Sequence, residues 1–178
     1  MNINEISVKD FVKSFAEASP LEYQQLVDSI IKRTYVPLIE KNTLLTVMFN
    51  KAVVSNGVVK AIDYTADYVN YIVSILTMYT NIKFKENGNT IFDDYDMLRS
   101  SGALEAIMQT IPPSEIEEIS MIHDFIKTEF YEREKGASFY LSKLFKTLEI
   151  LGGTAISTLL NTIENDESEM SEDKEETI

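Results

Sequence analysis

Apolar residues recur at helical spacing in the middle of the chain, between Asp63 and Asn81. The main row is Tyr64, Tyr68, Ile72, Ile75, Leu76 and Tyr79, and a second row is Val69 and Val73 with Met78 nearby. Because the two rows leave little of the helix surface for water, the pattern predicts a central, mostly buried α-helix. Its apolar part covers about twelve residues, fewer than the ~20 that a membrane span requires.

Three helices are predicted before the central one. Ser7 and Ser19 are expected to cap the first two, since a serine side chain can accept a hydrogen bond from a free N–H of the first turn. The second helix should end a few residues before Pro37, because proline disfavours helical geometry in the residue that precedes it. A third apolar pattern covers residues 38–52 and ends at a turn signal at residues 55–57.

Three further helices are predicted after the central one. Residues 91–98 and 103–111 should form two short helices hinged at Ser100-Ser101-Gly102. Ser114 and Glu117 have the spacing of a capping box, which predicts a long helix that runs to about residue 134. The apolar face of this helix consists of Ile116, Ile119, Ile122, Ile126 and Phe130. Two short extended segments, residues 58–62 and 82–84, are candidates for a minor two-stranded ribbon beside the central helix.

The last amphipathic segment has apolar residues at Phe139, Leu141, Leu144, Phe145, Leu148 and Leu151. Gly152 and Gly153 then either let the helix continue past a close neighbour or break it, and we expect a kink there. Past residue 163 no apolar periodicity remains, and eight acidic residues face one lysine. The sequence therefore predicts an all-α fold: one domain of six to eight helices over residues 1–163, followed by a disordered acidic tail at residues 164–178.

The composition excludes several classes of function. The chain has 178 residues, a formal net charge of −13 and no cysteine, so it can form neither a disulfide nor a thiolate metal site, and it has no cysteine nucleophile. No stretch concentrates lysine and arginine on one face, which argues against direct binding of nucleic acid. The N-terminal residues lack the basic and apolar regions of a secretory signal, so we expect a cytoplasmic protein.

Two groups of residues invite an interpretation as a catalytic or metal site. His123 has no partner histidine for a carboxylate-bridged metal site, and a Ser-His-Asp triad using Asp124 lacks the expected nucleophile elbow. Asp94, Asp96 and Glu105 match three positions of a calcium-binding EF-hand loop, but Arg99 stands where the loop requires glycine. We expect these aspartates to cap the helix that follows. The sequence therefore predicts no catalytic residue, no metal ligand and no cofactor.

Aromatic residues point to a protein-binding surface. Tyrosine is favoured where one end of a side chain is buried and the other meets water. The residues expected to mark a partner surface are Tyr71, Tyr131, Tyr140 and Phe139. The alternative is that these side chains line the edge of the core. The same surplus of aromatic residues, with the amphipathic last segment, also suggests a homo-oligomer.

Residues 35–41, 76–80, 94–98 and 101–104 occur in an order that resembles short, acidic, helical proteins encoded by bacteriophages, across roughly residues 8–150. The resemblance implies a non-enzymatic role in head or tail morphogenesis, as a structural subunit or a tail-assembly-chaperone-like helper in the host cytoplasm. The acidic tail departs from the usual chaperone pattern, in which a recoded extension follows the helical body. A second hypothesis is an acidic inhibitor or nucleic-acid mimic that blocks a host protein, and a third is an unrecognised enzyme.

Overall fold

The computed structural model describes residues 5–19, 21–55, 60–85 and 88–136. In chain order the elements are β1 (Ile6–Ser7), α1 (Val8–Glu17), α2 (Tyr23–Ile30), α3 (Leu38–Ala52), β2 (Val53–Ser55), β3 (Lys60–Ile62), α4 (Tyr64–Tyr79), β4 (Ile82–Lys83), α5 (Gly88–Ser100), α6 (Ala103–Thr110) and α7 (residues 113–136). The predicted all-α fold is confirmed, with seven helices among the described residues. Across the same residues, no helix is both long and apolar enough to cross a bilayer.

The buried helix α4 lies at the centre, as the apolar pattern predicts. It contributes Ile72 and Leu76 to a cluster shared with α1, α2, α5 and α6. Its Ile75, Met78 and Tyr79 pack with α3 and α7 in a second cluster, and two valines join a third. Different sides of α4 therefore face different sets of helices. Tyr64 and Tyr68, at the start of the main apolar row, are exposed, unlike the rest of that row.

Local capping chemistry sets several helix boundaries. The Ser7 hydroxyl accepts a hydrogen bond from the Asp10 N–H at the start of α1, as predicted. Asp63 does the same at the start of α4, where its side chain accepts from the N–H groups of Thr65 and Ala66. Gly102 has a φ of 77°, a conformation that glycine adopts without the strain of a Cβ, and it forms the predicted hinge between α5 and α6.

The predicted pairing of the short strands is wrong. The segments at residues 60–62 and 82–83 are extended, but they do not pair with each other. β3 forms an antiparallel pair with β2, and β4 pairs in parallel with β1 at the N-terminal end of the described chain. Strand pairing depends on where the flanking helices carry the chain, and this information is absent from the local pattern.

Three predicted helix starts also differ from the structure. α2 begins at Tyr23 with Glu22 as its N-cap, so Ser19 is not the N-cap. α7 begins at residue 113, so Ser114 lies inside its first turn and is not the N-cap. α5 already begins at Gly88, so Asp94 and Asp96 lie well inside that helix and do not cap a following one. The Asp94 side chain is buried and accepts a hydrogen bond from the Lys85 N–H, which ties the segment before α5 to the helix.

α7 packs beside α3 and α4. Lys41 contacts Glu115, and Phe49 further along α3 packs edge-on against Phe130, so α3 and α7 run in the same direction. Tyr79 at the end of α4 reaches Glu115, whereas Tyr64 at its start reaches Tyr131. The central helix therefore runs antiparallel to both.

Residues up to Tyr131 belong to one compact unit, and a second unit begins at Glu132. The structure describes only residues 132–136 of the second unit, and these are helical. The predictions that lie outside the described residues include the last amphipathic segment, the kink at Gly152 and Gly153, the domain end at residue 163 and the acidic tail at residues 164–178.

Candidate functional site

The inner face of α7 carries a buried carboxylate that joins three helices. The Lys41 ammonium on α3 lies 2.8 Å from Oε2 of Glu115, and the Lys41 side chain is 0% exposed. The same Glu115 oxygen accepts hydrogen bonds from the Tyr79 hydroxyl on α4 and, at 3.2 Å, from the Val36 N–H before α3. Glu118, one turn further along α7, forms a second ion pair with Lys41. We call these residues the Lys41–Glu115 cluster.

Glu115, Lys41 and Tyr79 each have a shifted pKa. Burial by itself would raise the pKa of Glu115, but hydrogen bonds from Lys41, Tyr79 and Val36 outweigh burial and hold it below the usual value. Burial would likewise lower the pKa of Lys41, and its hydrogen bonds to Glu115 and Glu118 raise it instead. The Tyr79 pKa is raised, first by burial and then by its bond to a carboxylate. The cluster therefore favours an ionised Glu115, a charged Lys41 and a neutral Tyr79.

A second cluster surrounds Asp67 on α4. Its Oδ1 lies 2.9 Å from Nε2 of His123, and its Oδ2 lies 3.1 Å from the Lys127 ammonium, both on α7. The Asp67 side chain is 4% exposed, so its carboxylate is buried with both oxygens occupied. One turn away on α4, the Tyr71 ring packs at 4.7 Å against the His123 ring. We call this the Asp67–His123 cluster.

The structure changes the interpretation of His123. A triad with Asp124 was considered in the sequence, but His123 is paired with Asp67 on a neighbouring helix. An Asp-His pair orients an imidazole in many hydrolases, but here Lys127 also engages the carboxylate. The Asp67–His123 pair links α4 to α7, and the Lys127 ammonium neutralises the buried carboxylate. Among the described residues, no group of three or more acidic or histidine side chains is arranged to hold a metal ion.

The two described members of the predicted partner surface flank the Asp67–His123 cluster. Tyr71 is half-buried, and its hydroxyl is hydrogen-bonded to Ser120 on α7; burial raises its pKa. The Tyr131 hydroxyl lies 2.6 Å from that of Tyr64, and this bond, followed by burial, raises the pKa of Tyr131 to about 12. Both side chains make contacts between α4 and α7. Phe139 and Tyr140 lie outside the described residues.

Exposed apolar side chains lie at the start of α3 and on the outer face of α7. Met121 is 61% exposed, Phe125 78% and Ile39 81%. Tyr35 and Leu38 are also exposed. We call these five residues the outer patch. Because α3 and α7 run in the same direction, Leu38 lies one turn before the Lys41–Glu118 ion pair and Met121 lies one turn after it.

Carboxylates border the α7 half of the outer patch. Glu118 lies on the side of α7 that faces α3, where it meets Lys41, and Glu129 follows three turns later on the same side. Glu117 and Asp124 are exposed and lie on the opposite side of the patch, towards α4. The Lys41 ammonium offsets the charge of Glu118, so the exposed carboxylates of Glu117 and Asp124 border the apolar side chains on the edge towards α4.

Sequence reasoning missed both the buried charges and the outer patch. A signal for each was present. Lys41 falls at helical spacing between Leu38 and Leu45, so it interrupts an apolar row. Met121 and Phe125 are separated by four residues and lie off the isoleucine row of α7, which is the spacing of a second apolar stripe on the same helix.

An open groove of about 480 Å³ runs between α3 and the end of α4. Its two basic side chains are already engaged: the Lys32 ammonium donates to the Thr77 carbonyl at 2.6 Å, and the Arg33 Nε donates to the Met78 carbonyl at 2.7 Å. Arg33 also forms an ion pair with Glu40. These contacts neutralise the carboxyl end of the α4 dipole, which accounts for the two cations without a ligand.

No protein-family model, curated protein or solved structure matches this chain.

Proposed function

We propose that this chain is a non-catalytic protein-binding subunit that acts in assembly, with bacteriophage morphogenesis as its context. The observation that carries the proposal is the contrast between the two faces of α7. On the inner face, the ionisable side chains of both clusters are bonded to other parts of the chain. On the outer face, Met121 and Phe125 are exposed to solvent.

The composition of the outer patch favours a protein partner. Phenylalanine, tyrosine and methionine are enriched in protein–protein interfaces, and the patch contains one of each together with a leucine and an isoleucine. Apolar residues scattered singly on a surface need no explanation, but Met121 and Phe125 are exposed and lie one turn apart on one helix, and adjacent exposed apolar side chains are typical of an interaction site. The proposed partners are virion components.

The resemblance of residues 8–150 to short acidic phage proteins supplies the biological context. A helical body that acts as a structural subunit or assembly helper needs surfaces for other proteins, and it needs no catalytic centre. The formal net charge of −13 argues against direct contact with nucleic acid, whose phosphates would repel the chain. We therefore place its action in the host cytoplasm, on protein partners, during particle construction.

Deletion of the gene from the genome that encodes it tests this function. The expected result is normal genome replication and lysis, with few infectious particles and with unjoined heads or tails under the electron microscope. Complementation with the intact gene should restore the particles. Normal particle yield after the deletion would contradict an assembly role.

A second candidate function is an acidic inhibitor of a host protein. The exposed carboxylates of Glu117 and Asp124 beside the outer patch, with the net charge of −13, favour this candidate, because a nucleic-acid mimic presents negative charge to a basic site. The two functions predict different phenotypes: loss of an inhibitor should impair an early step of infection and leave the assembly of any particles normal. A purified complex with a basic host protein, competed by duplex DNA, would support the inhibitor.

A further inference from the structure

Two tyrosines from different helices meet at their hydroxyl groups. The hydroxyl oxygen of Tyr64 at the start of α4 lies 2.6 Å from that of Tyr131 on α7, and the two share a hydrogen bond. The Tyr64 side chain is 65% exposed, so a reagent in solution reaches this pair directly. Two phenols in contact, one of them exposed, are an arrangement that favours oxidative coupling of their rings. We call these residues the Tyr64–Tyr131 pair.

From this geometry we propose that the Tyr64–Tyr131 pair is a site of oxidative modification, where a one-electron oxidant derived from hydrogen peroxide couples the two side chains to dityrosine. Each phenol loses one electron and one proton and becomes a phenoxyl radical. The two radicals form one carbon–carbon bond between the ring positions next to the hydroxyls, and the hydrogen on each joined carbon then moves to the oxygen of its ring. Hydrogen peroxide takes up the two electrons and two protons and is reduced to two molecules of water. This modification does not depend on the proposed function.

Contact between the two phenols makes coupling within one chain the favoured reaction. A radical on an isolated tyrosine must meet a second one by diffusion, whereas a partner held in contact converts this meeting into an intramolecular step. Two copies of the chain also repel each other, because each carries a net charge of −13. Coupling between chains is therefore disfavoured in dilute solution.

A second pair of tyrosines shows why the first is the better site. Tyr68 and Tyr95 are also hydrogen-bonded, but their rings meet edge to face at 80°. Tyr95 packs against two of the core clusters, which hold its ring in this orientation. Coupling requires the two rings to turn edge towards edge. The exposed ring of Tyr64 has room to turn, and Tyr131 is not packed against any of the three core clusters formed by the described residues.

Dityrosine at this position would join α4 to α7 covalently. Tyr64 and Tyr131 are 67 positions apart in the chain. A cross-link that closes a loop of this length restricts the unfolded chain and thereby favours the folded one. We therefore expect the coupled chain to unfold at a higher urea concentration than the untreated chain. A midpoint that is unchanged or lower would mean that the bond does not form in the folded arrangement, and it would overturn the proposal.

Peroxidase treatment of the full chain, followed by mass spectrometry, tests the site. The chain is treated with a haem peroxidase and hydrogen peroxide at low micromolar concentration and then digested with trypsin. Residues 128–133 form a tryptic peptide in which Tyr131 is the only tyrosine, whereas Tyr64 falls in residues 61–83 and Tyr95 in residues 86–99. We expect residues 61–83 and 128–133 to be joined with the loss of two hydrogen atoms, and fragmentation should assign the bond to Tyr64. A different linked pair as the main product, or cross-linking mainly between chains, would overturn the proposal.

Three variants locate the reaction. Tyr64→Phe and Tyr131→Phe each keep the ring, and each should reduce the yield of this product by about tenfold or more, because phenylalanine has no phenol to oxidise. Tyr35→Phe is the matched control, since Tyr35 is 64% exposed and has the Lys41 ammonium over its ring, as Lys127 lies over the ring of Tyr64. The control should leave the yield unchanged. An equal loss in all three variants, or full yield in Tyr131→Phe, would overturn the proposal.

Discussion

The ammonium group of Lys41 on α3 lies 2.8 Å from the carboxylate of Glu115 on α7, and the lysine side chain is completely buried. The apolar environment makes the charge of either residue costly without the other. The Tyr79 hydroxyl adds a contact from the central helix, so one carboxylate joins three helices at a single point. Lys41 stands in an apolar row of α3, and its contact with Glu115 fixes the packing of α7. That packing in turn determines which side of α7 faces outward.

Replacement of Lys41 by methionine tests the importance of this ion pair. The methionine has a similar length and no charge, so it leaves Glu115 buried with a hydroxyl and an N–H as its donors. We expect a loss of about 3–5 kcal/mol in the free energy of unfolding, as for other buried ion pairs with one partner removed. Urea unfolding followed by circular dichroism at pH 7 measures it.

A double variant separates the ion pair from the packing of the methionine. Lys41→Met combined with Glu115→Gln removes both charges and keeps a hydrogen-bonding side chain at position 115. The loss of unfolding free energy in the double variant should be smaller, by at least about 1 kcal/mol, than the sum of the losses in the two single variants, because the two residues interact. Additive losses would show that Lys41 and Glu115 are not coupled in the folded chain.

Two aspartates on one helix provide a matched comparison. Asp67 is buried between His123 and Lys127, whereas Asp63 is an exposed N-cap one turn earlier. Asp67→Ala should cost about 3–5 kcal/mol because it leaves a lysine and a histidine without their carboxylate. Asp63→Ala should cost about 0.5–2 kcal/mol, the usual value for a lost cap. Equal losses in thermal or urea unfolding would refute the assignment of Asp67 as a buried link to α7.

The pKa shifts of the Lys41–Glu115 cluster predict a pH dependence. The pKa of Glu115 is lower in the folded chain than its unfolded value of about 4.3, so its contribution is present above that pH and is lost as the pH falls through the folded pKa. The pKa values of Lys41 and Tyr79 are raised, so their contributions are present below about pH 10 and are lost as the pH rises further.

Glu115→Gln isolates the acid part of this dependence. The difference in unfolding free energy between the intact chain and the variant should be largest near pH 7 and should shrink below about pH 4, since only the intact chain then gains a proton at position 115. Urea unfolding at pH 7 and pH 3.5 measures the difference. A difference that stays constant between the two would mean that Glu115 titrates alike in the folded and unfolded chains.

The central position of α4 is tested by a carboxylate placed in its apolar row. Ile72 is buried in the cluster that α4 shares with α1, α2, α5 and α6. Ile72→Asp should leave little folded protein, because an uncompensated buried charge costs several kcal/mol against a total stability of about 5–15 kcal/mol. Thr65→Asp, on the exposed first turn of the same helix, should be neutral or slightly stabilising. A normal circular dichroism spectrum and melting temperature for Ile72→Asp would contradict the buried position.

Local patterns predicted most of the helices because helix formation depends on residues that are close in sequence. The spacing of Ile72, Ile75 and Leu76 is enough to predict α4, and a serine or a glycine is enough to predict the start of α1 or the hinge before α6. The pairing of β3 with β2 depends on the return of the chain after α3, so the pattern at residues 60–62 predicts a strand and leaves its partner open.

The site was harder to predict than the fold for a physical reason. A lysine or aspartate in a helix is usually exposed, and it becomes a buried link only when a residue distant in sequence supplies the opposite charge. Lys41 and Asp67 each needed a partner on α7 that periodicity cannot identify. The same holds for Phe125, whose exposure depends on which side of α7 the neighbouring helices cover.

The central claim is that the inner face of α7 holds the fold while Met121 and Phe125 on its outer face are exposed. The most direct test is the unfolding free energy of Phe125→Glu, measured in urea at pH 7. Because the Phe125 side chain is 78% exposed, the variant should lie within about 0.5 kcal/mol of the intact chain. A loss of more than about 2 kcal/mol would mean that Phe125 is packed in the folded protein, and the outer face of α7 would then not be free for a partner.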